Sequence, residues 1–363
     1  MSESVGGRSG DEGSGHGRSP DPPACIIIGM AGSGKTTLMQ QIAASLSSSR
    51  TPAYLLNLDP AVLNVPYRAN IDIRDSIKYK NVMEQYRLGP NGGILTCLNL
   101  FAAQFQTVLE LAEKRRNQFK YMFVDTPGQI EVFTWSASGS IITESLATTF
   151  PTCVLFVVDT VRCKSPMTFV SNMMYACSIL YKTRLPLVVV FNKIDAEKHD
   201  FAVSWMEDYA VFDEVLREES TFADSLARSM AITLEELYKN IHSVGVSAIT
   251  GEGMDDLFAV IRTAAKEYHE SYRPDLEART RKRAEEEQTS AEEAYKAFQQ
   301  DRDKNESRST PVDTMWAPEE DDEGEPEDEE DIDEEEHARE EAEKEELLAY
   351  VAKLNLEHGA PPK

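Results

Sequence analysis

The stretch Gly29-Met30-Ala31-Gly32-Ser33-Gly34-Lys35-Thr36 constrains this chain more than any other. It satisfies the pattern G-x-x-x-x-G-K-[ST]; an apolar run, Cys25-Ile26-Ile27-Ile28, leads in, and a helical pattern from Thr37 to Leu46 leads out. Glycines let the backbone curl closely around a polyphosphate with several N–H groups pointing inward, where any Cβ would obstruct the approach. The helix that follows adds the positive end of its dipole. Lys35 is placed to reach the β- and γ-phosphates, and the Thr36 hydroxyl to bind Mg²⁺. A Gly-rich turn that matched by chance would lack the strand before it and the helix after it. The expectation is a nucleotide site.

Further apolar runs predict the frame that carries this loop. Ala53-Tyr54-Leu55-Leu56-Asn57-Leu58, Tyr121-Met122-Phe123-Val124, Cys153 to Asp159, Leu187 to Phe191 and Val244 to Ala248 read as strands. Cys153-Val154-Leu155-Phe156-Val157-Val158 does not alternate, which indicates burial on both faces and hence a parallel sheet. Helical patterns cover Ile71 to Tyr86, Ile94 to Arg116, Met167 to Tyr181 and Met254 to about Tyr268. Met173, Met174 and Ile179 read as core filler. The fold class expected is α/β: a P-loop NTPase with a mostly parallel central sheet flanked by helices, a helical insert and a disordered acidic C-terminal tail. The insert, 197–242, carries Trp205, Tyr209, Val211, Phe212, Leu216, Phe222, Leu226, Met230, Leu234 and Leu237; it either packs on the sheet or forms a docking groove.

The strand ends hold the chemistry. Asp59 follows the second strand and faces the Mg²⁺ and γ-phosphate side of such a loop; a turn or cap aspartate is the alternative. Asp125-Thr126-Pro127-Gly128-Gln129 resembles the D-x-x-G element of GTPases, in which the aspartate holds the metal's water shell and the Gly128 amide senses the γ-phosphate. Gln129 sits where related enzymes orient the attacking water, and Glu131 is a second candidate. Asn192-Lys193-Ile194-Asp195 selects the base: the Asp195 carboxylate can accept from N1–H and the exocyclic amine of guanine, whereas adenine offers an acceptor at N1. Asn192 and Lys193 shape that pocket, and Ser247-Ala248 resembles the S-A element whose amide touches the guanine oxygen. Gly89-Pro90-Asn91-Gly92-Gly93 reads by its chemistry as a tight turn between helices.

Bulk charge enters as a correction to these local readings. The net −26 is concentrated in Glu319 to Glu346, where 20 acidic side chains face Arg339 and Lys344, leaving −8 for the rest. A body of that charge with no basic stripe argues against direct nucleic-acid binding. Five cysteines without C-x-x-C spacing fit buried free thiols in a reducing compartment. No run approaches 18 apolar residues and the start is polar, so a soluble chain with no membrane span or secretory signal is expected. The predicted organisation is a disordered arm over 1–22, a nucleotide-binding domain over 23–272, a charged helical extension over 273–306 and a disordered acidic tail over 307–346. A short apolar segment, 347–363, closes the chain. Arg279 to Arg283 reads as a solvated helix face or a nuclear import signal. Leu348, Val351, Leu354 and Leu356 fit a leucine-rich export pattern or an amphipathic terminal turn.

Taken together, the phosphate loop, Asp59, Gly89-Pro90-Asn91, Asp125-Thr126-Pro127-Gly128-Gln129 and Asn192-Lys193-Ile194-Asp195 resemble the GPN-loop GTPases over about residues 24 to 270. The resemblance implies Mg²⁺-dependent hydrolysis of GTP to GDP and phosphate in a dimer, homodimeric or with a paralogue, whose subunits face each other across their nucleotides. Gly89, Pro90 and Asn91 would then approach the partner's γ-phosphate. It implies nucleotide contacts by Gly29, Ala31, Gly32, Ser33, Gly34, Lys35, Thr36, Thr37, Gly128, Asn192, Lys193, Asp195, Ser247 and Ala248. Metal binding falls to Thr36 and Asp125, and catalysis to Asp59, Asn91, Asp125, Gln129 and Glu131. The family role implied is assembly and nuclear import of RNA polymerase II, with polymerase subunits or assembly factors and an export receptor as partners. A cytoplasmic protein that shuttles to the nucleus is expected, and a hydrophobic peptide-accepting pocket at the insert. No arginine finger is evident; Arg68, Arg74 and Arg87 are candidates. The competing readings are a P-loop small-molecule kinase and a chaperone-like peptide-binding protein with nucleotide as a structural ligand.

Overall fold

Successive side chains on a strand point to opposite faces, so an unbroken apolar strand feeds two cores at once. In the computed structural model this is what the apolar runs do. The structure describes residues 21–219 and 241–278, together with Arg228, Met230, Leu234, Tyr238, Arg281, Lys282 and Thr289. Seven parallel strands form one sheet: β1 Ala24–Gly29, β2 Ala53–Asn57, β3 Ile71–Asp72, β4 Tyr121–Asp125, β5 Thr152–Asp159, β6 Leu187–Asn192 and β7 His242–Val246. Their order is β3-β2-β4-β1-β5-β6-β7, with β1 between β4 and β5.

The helices are α1 Lys35–Ser48, α2 Ile73–Ser76, α3 Tyr79–Gln85, α4 Pro90–Ala103, α5 Phe105–Lys114, α6 Ile130–Thr134, α7 Ala137–Thr149, α8 Pro166–Thr183, α9 Asp200–Glu207, α10 Tyr209–Glu219 and α11 Met254–Glu267. Cys25, Ile27, Phe123, Leu155 and Val190 face one way and meet Leu38 and Ile42 of α1 and Leu257 and Ile261 of α11. Ile26, Ile28, Val124, Phe156 and Phe191 face the other way, in the core that contains Leu98 and Phe101 of α4, Ile142 of α7 and Met173 of α8. Phe156 is fully buried, and its truncation to alanine should cost about 3–5 kcal/mol. Cys25, Cys97, Cys153 and Cys163 are buried, Cys177 is partly so, and all five are free thiols.

Several sequence readings need correction. Ile71 to Tyr86 is not one helix. Ile71 and Asp72 pair with Leu56 and Asn57 as an edge strand, and Asp72 then caps α2 by accepting from the Arg74 N–H at 3.0 Å. The tight loop at Gly89 to Gly93 is instead a helix start: Gly89 is the extended N-cap residue and Pro90 occupies the first turn, where its missing N–H costs nothing. The left-handed residue there is Arg87, at φ 51°, rather than Asn91 or its glycines. Ile94 to Arg116 breaks at Gln104, with 57° between α4 and α5. The last strand ends at Val246, which leaves Ser247 and Ala248 in the following loop.

The described part of the insert is mainly α9 and α10, with Arg228, Met230, Leu234 and Tyr238 beyond them. Trp205, Phe212, Leu216 and Leu234 are buried and Val211 is exposed. Phe169 of α8 meets Trp205 edge-on at 5.2 Å and Phe212 at 5.8 Å. Among the described residues, these aromatics pack against one another and α8. Phe222, Leu226 and Leu237 lie outside the described residues, as do most of Glu277 to Asp303, the acidic run and the C-terminal leucine pattern. Among the described residues, no single helix is long and apolar enough to cross a membrane.

Candidate functional site

Because every strand is parallel, their carboxyl ends reach one edge, and the motifs arrive there together. β1 ends at Gly29 and turns through the phosphate loop into α1, with Gly32 at φ 82° and Gly34 at φ 92°. A Cβ on Gly34 would stand 2.5 Å from the Asn192 amide nitrogen, so glycine is required by both torsion and space. Lys35 is buried and folds back on its own loop, donating to Gly29 O at 2.7 Å and Met30 O at 3.1 Å. Burial lowers its pKa, opposed by the charges of Asp125 and Asp59.

Asp125 closes β4 beside the loop and is 1% exposed. Burial pushes its carboxyl up to about 6, against the hydrogen bond from Tyr67 and the charge of Lys35. Tyr67 Oη donates to Asp125 Oδ2 at 3.0 Å, across 58 residues of sequence. Asp125 Oδ1 and Ser33 Oγ are buried without a hydrogen-bond partner among the described residues. The Thr36 side chain also favours the charged carboxylate by hydrogen bonding to it. Asp59 accepts from the Ala61 N–H at 2.9 Å, so the turn role is real. Its carboxyl is also raised by burial, opposed by hydrogen bonds from backbone N–H groups, Gly128 among them, and by the charge of Lys35. The turn aspartate thus also lies beside the phosphate-loop lysine.

These orphaned atoms bear on the expected metal. Among the described residues no three His, Cys, Asp or Glu side chains converge to hold an ion. What exists is one buried carboxylate with a free oxygen, beside a threonine at the phosphate loop. That sparse, all-oxygen set fits Mg²⁺, which takes one or two protein ligands and fills the rest from phosphate and water.

Beyond Asp125, the Thr126 hydroxyl donates to Ile27 O at 2.7 Å and ties this segment to β1. At Gly128 neither a positive φ nor any atom within 4 Å of an added Cβ demands glycine. Gln129 is the half-buried N-cap residue of α6, and Glu131 on that helix is exposed.

The other end of the edge is tightly knit. Asn192 donates to Ser33 O at 2.9 Å and accepts from the N–H groups of Lys193 at 2.8 Å and Ala248 at 3.1 Å. Lys193, at φ 71°, donates to Gly32 O at 3.0 Å. Asp195 is exposed, and its Oδ1 accepts from Ser247 Oγ at 2.6 Å. Asn192, Lys193, Asp195, Ser247 and Ala248 thus join the phosphate loop in one network. Ala31 and Thr37 are exposed on the same loop and the first turn of α1.

Asn91 stands apart. It is exposed on the first turn of α4, and among the described residues no hydrogen bond joins it to the phosphate loop of its own chain. Of the arginines considered, Arg74 is committed to Asp72 at 2.7 Å and to Val62 O and Leu63 O, while Arg68 and Arg87 are exposed. Sequence reasoning missed Tyr67, Asn57 and Asp72. Asn57 Nδ2 bridges Asp59 O and Asp72 Oδ1, and the polar asparagine ending an apolar strand was the available signal.

A family described as a conserved hypothetical ATP binding protein matches residues 27–267. The chain is 57% identical over 253 residues to GPN-loop GTPase QQT2 of Arabidopsis thaliana, covering 70% of this chain and 67% of that one. It is 51% identical over 292 residues to GPN-loop GTPase 1 of Dictyostelium discoideum, covering 80% and 73%. A crystal structure of a GTPase in apo form from Pyrococcus abyssi superimposes with a TM-score of 0.59 at 26% identity, covering 68% of this chain and 97% of that one. The adenine in the family's description finds no support in the base end just described, where a carboxylate at Asp195 suits guanine, as the names of the relatives do. This chain belongs to the GPN-loop GTPases.

Proposed function

We propose that this chain, a GTP hydrolase by family, cleaves GTP to GDP and phosphate with Mg²⁺ as a dimeric conformational switch. The observation that carries the reading is the Asn192 side chain. By bonding to Ser33, Lys193 and Ala248 at once, it makes phosphate loop and base reader a single pre-organised unit.

The protein's own groups divide the work. Lys35 leaves the loop carbonyls to which it now donates and neutralises charge on the β- and γ-oxygens, helped by the loop N–H groups. Thr36 and Asp125 are the groups to hold Mg²⁺, which when bound supplies charge neutralisation at the phosphates. Gln129, with Asp59 and Glu131 near it in sequence or space, orients the attacking water. The Gly128 amide, which hydrogen-bonds the Asp59 carboxylate, would turn to the γ-phosphate when nucleotide is bound. Asp195 reads the guanine edge, and Ser247 fixes its carboxylate.

Dimerisation, with itself or a paralogue, is supported by α4. Gly89 has open space where a Cβ would stand, Asn91 is exposed, and Leu95 and Leu100 on the same helix are exposed large apolar residues. A role in RNA polymerase II assembly and nuclear import, with nuclear shuttling and an export receptor, follows from the family resemblance and is proposed on that ground alone. Phosphate release from Gln129→Leu tests the water assignment: at least a tenfold slower rate is expected, and an unchanged rate overturns it. Calorimetry with GTP and ATP tests the base; equal affinities would overturn the guanine assignment.

A further inference from the structure

We propose that Asp159 is a specificity-determining positioning residue: its carboxylate holds Lys193 against the phosphate loop and so sets the wall of the guanine pocket. The inference rests on the guanine reading above and extends it to a residue outside the N-K-x-D motif.

Asp159 ends β5 directly opposite Asn192 in the parallel register, and it is 9% exposed. Its Oδ2 accepts from Lys193 Nζ at 2.6 Å. The same ammonium donates to Gly32 O at 3.0 Å, so one cation ties the end of β5 to the phosphate loop. The neighbouring Thr160 grips the same segment: its hydroxyl donates to Asn192 O at 2.7 Å and its N–H at 3.1 Å. Lys193 itself sits in the left-handed region at φ 71°, a conformation that costs a non-glycine residue and persists where surroundings over-determine it. Arg162 Nε stands 3.6 Å from the same Oδ2 but is 70% exposed, so it adds a solvated charge rather than a second anchor.

A lysine stem is long and flexible, and a wall made of it must be held at its far end. Backbone placement of Lys193 fixes where the stem begins. Gly32 O and Asp159 fix where it finishes. Of these two acceptors the buried carboxylate is the stronger. Without it, the stem regains rotamer freedom that guanine binding must then remove.

The test is a double-mutant cycle read by binding of a fluorescent GDP, with unlabelled GDP and ADP as competitors, on the full chain. Asp159→Asn keeps the shape and removes the charge. It should weaken GDP about tenfold, the loss of one charge-assisted hydrogen bond, while ADP competition is unchanged, so that the GDP:ADP preference narrows by the same factor. Lys193→Ala should weaken GDP by at least as much, and the double variant should match Lys193→Ala within about twofold. Additive losses, or equal weakening of GDP and ADP, would overturn the proposal in favour of a structural role for Asp159. Should Asp159→Asn melt below the assay temperature, Asp159→Glu enters the same cycle and is expected to lose less affinity for GDP than Lys193→Ala. Wild-type protein that fails to prefer GDP over ADP would defeat the guanine reading itself. Normal wild-type preference with an unaltered Asp159→Asn defeats this inference alone.

Discussion

The two ends of the strand edge are built on opposite plans. At the base end, Asn192, Lys193, Asp195, Ser247 and Ala248 satisfy one another through hydrogen bonds of 2.6–3.1 Å. At the phosphate end, Asp125 Oδ1 and Ser33 Oγ are buried and unpaired, Lys35 is turned onto its own loop, and two carboxyls are pushed up by burial. A satisfied network is rigid and discriminates; an unsatisfied one is held at a cost and is relieved when a partner arrives. Recognition of the base is thus prepared in advance, whereas the phosphate end has most to gain from its ligand and most to change when one is lost.

Four perturbations probe that contrast. The largest effect belongs to Lys35→Ala, which should slow single-turnover phosphate release about 10³-fold while guanine selectivity, measured by GDP and ADP competition, persists. Loss of selectivity as well would mean the two ends are not separable. Next, Asp195→Asn should weaken GDP by about 10²-fold or more in titration calorimetry without moving the melting temperature of the ligand-free chain, because that carboxylate is exposed.

The third acts on stability. The Asp125 carboxyl rises from 3.8 to about 6, so the folded chain keeps its proton to higher pH than the unfolded chain does. Stability in the ligand-free state therefore falls as pH rises from about 4 to about 6, and above that the whole penalty, about 3 kcal/mol, is present. Asp125→Asn should recover much of it at pH 7.5 and flatten the dependence in denaturant melts; a variant that stays as pH-sensitive as wild type would place the strain elsewhere. The smallest effect is that of Tyr67→Phe, which removes one hydrogen bond to Asp125 and should cost about 1 kcal/mol at pH 7.5. Its loss should also raise the Asp125 carboxyl further, widening the pH window.

What the residues disclosed in advance follows the same divide between local and distant information. The phosphate loop, six of the seven strands and the N-K-x-D turn are contiguous patterns, and each landed in the sheet or at its edge. Ile71-Asp72 misled because its two residues are strand only by pairing with Leu56 and Asn57. Pro90 misled because proline marks a turn and a helix start equally well. Tyr67 and Asp159 were invisible for a deeper reason: their partners lie 58 and 34 residues away, and no short-range spacing encodes such a pair. The resemblance to a family supplied what periodicity could not, namely the expectation of a role for Asn91, which is exposed on the first turn of α4.

The bond from the Ala248 N–H to Asn192 spans 56 residues and reaches the loop after the last strand. During synthesis, the phosphate loop emerges early, but the clasp that steadies Asn192 from the far side comes off the ribosome more than two hundred residues later. Because β1 is flanked by β4 and β5, which are also made long after the phosphate loop, cradle and clasp are completed together as one folding unit. Discrimination is therefore a property of the completed sheet, β7 and the loop after it included.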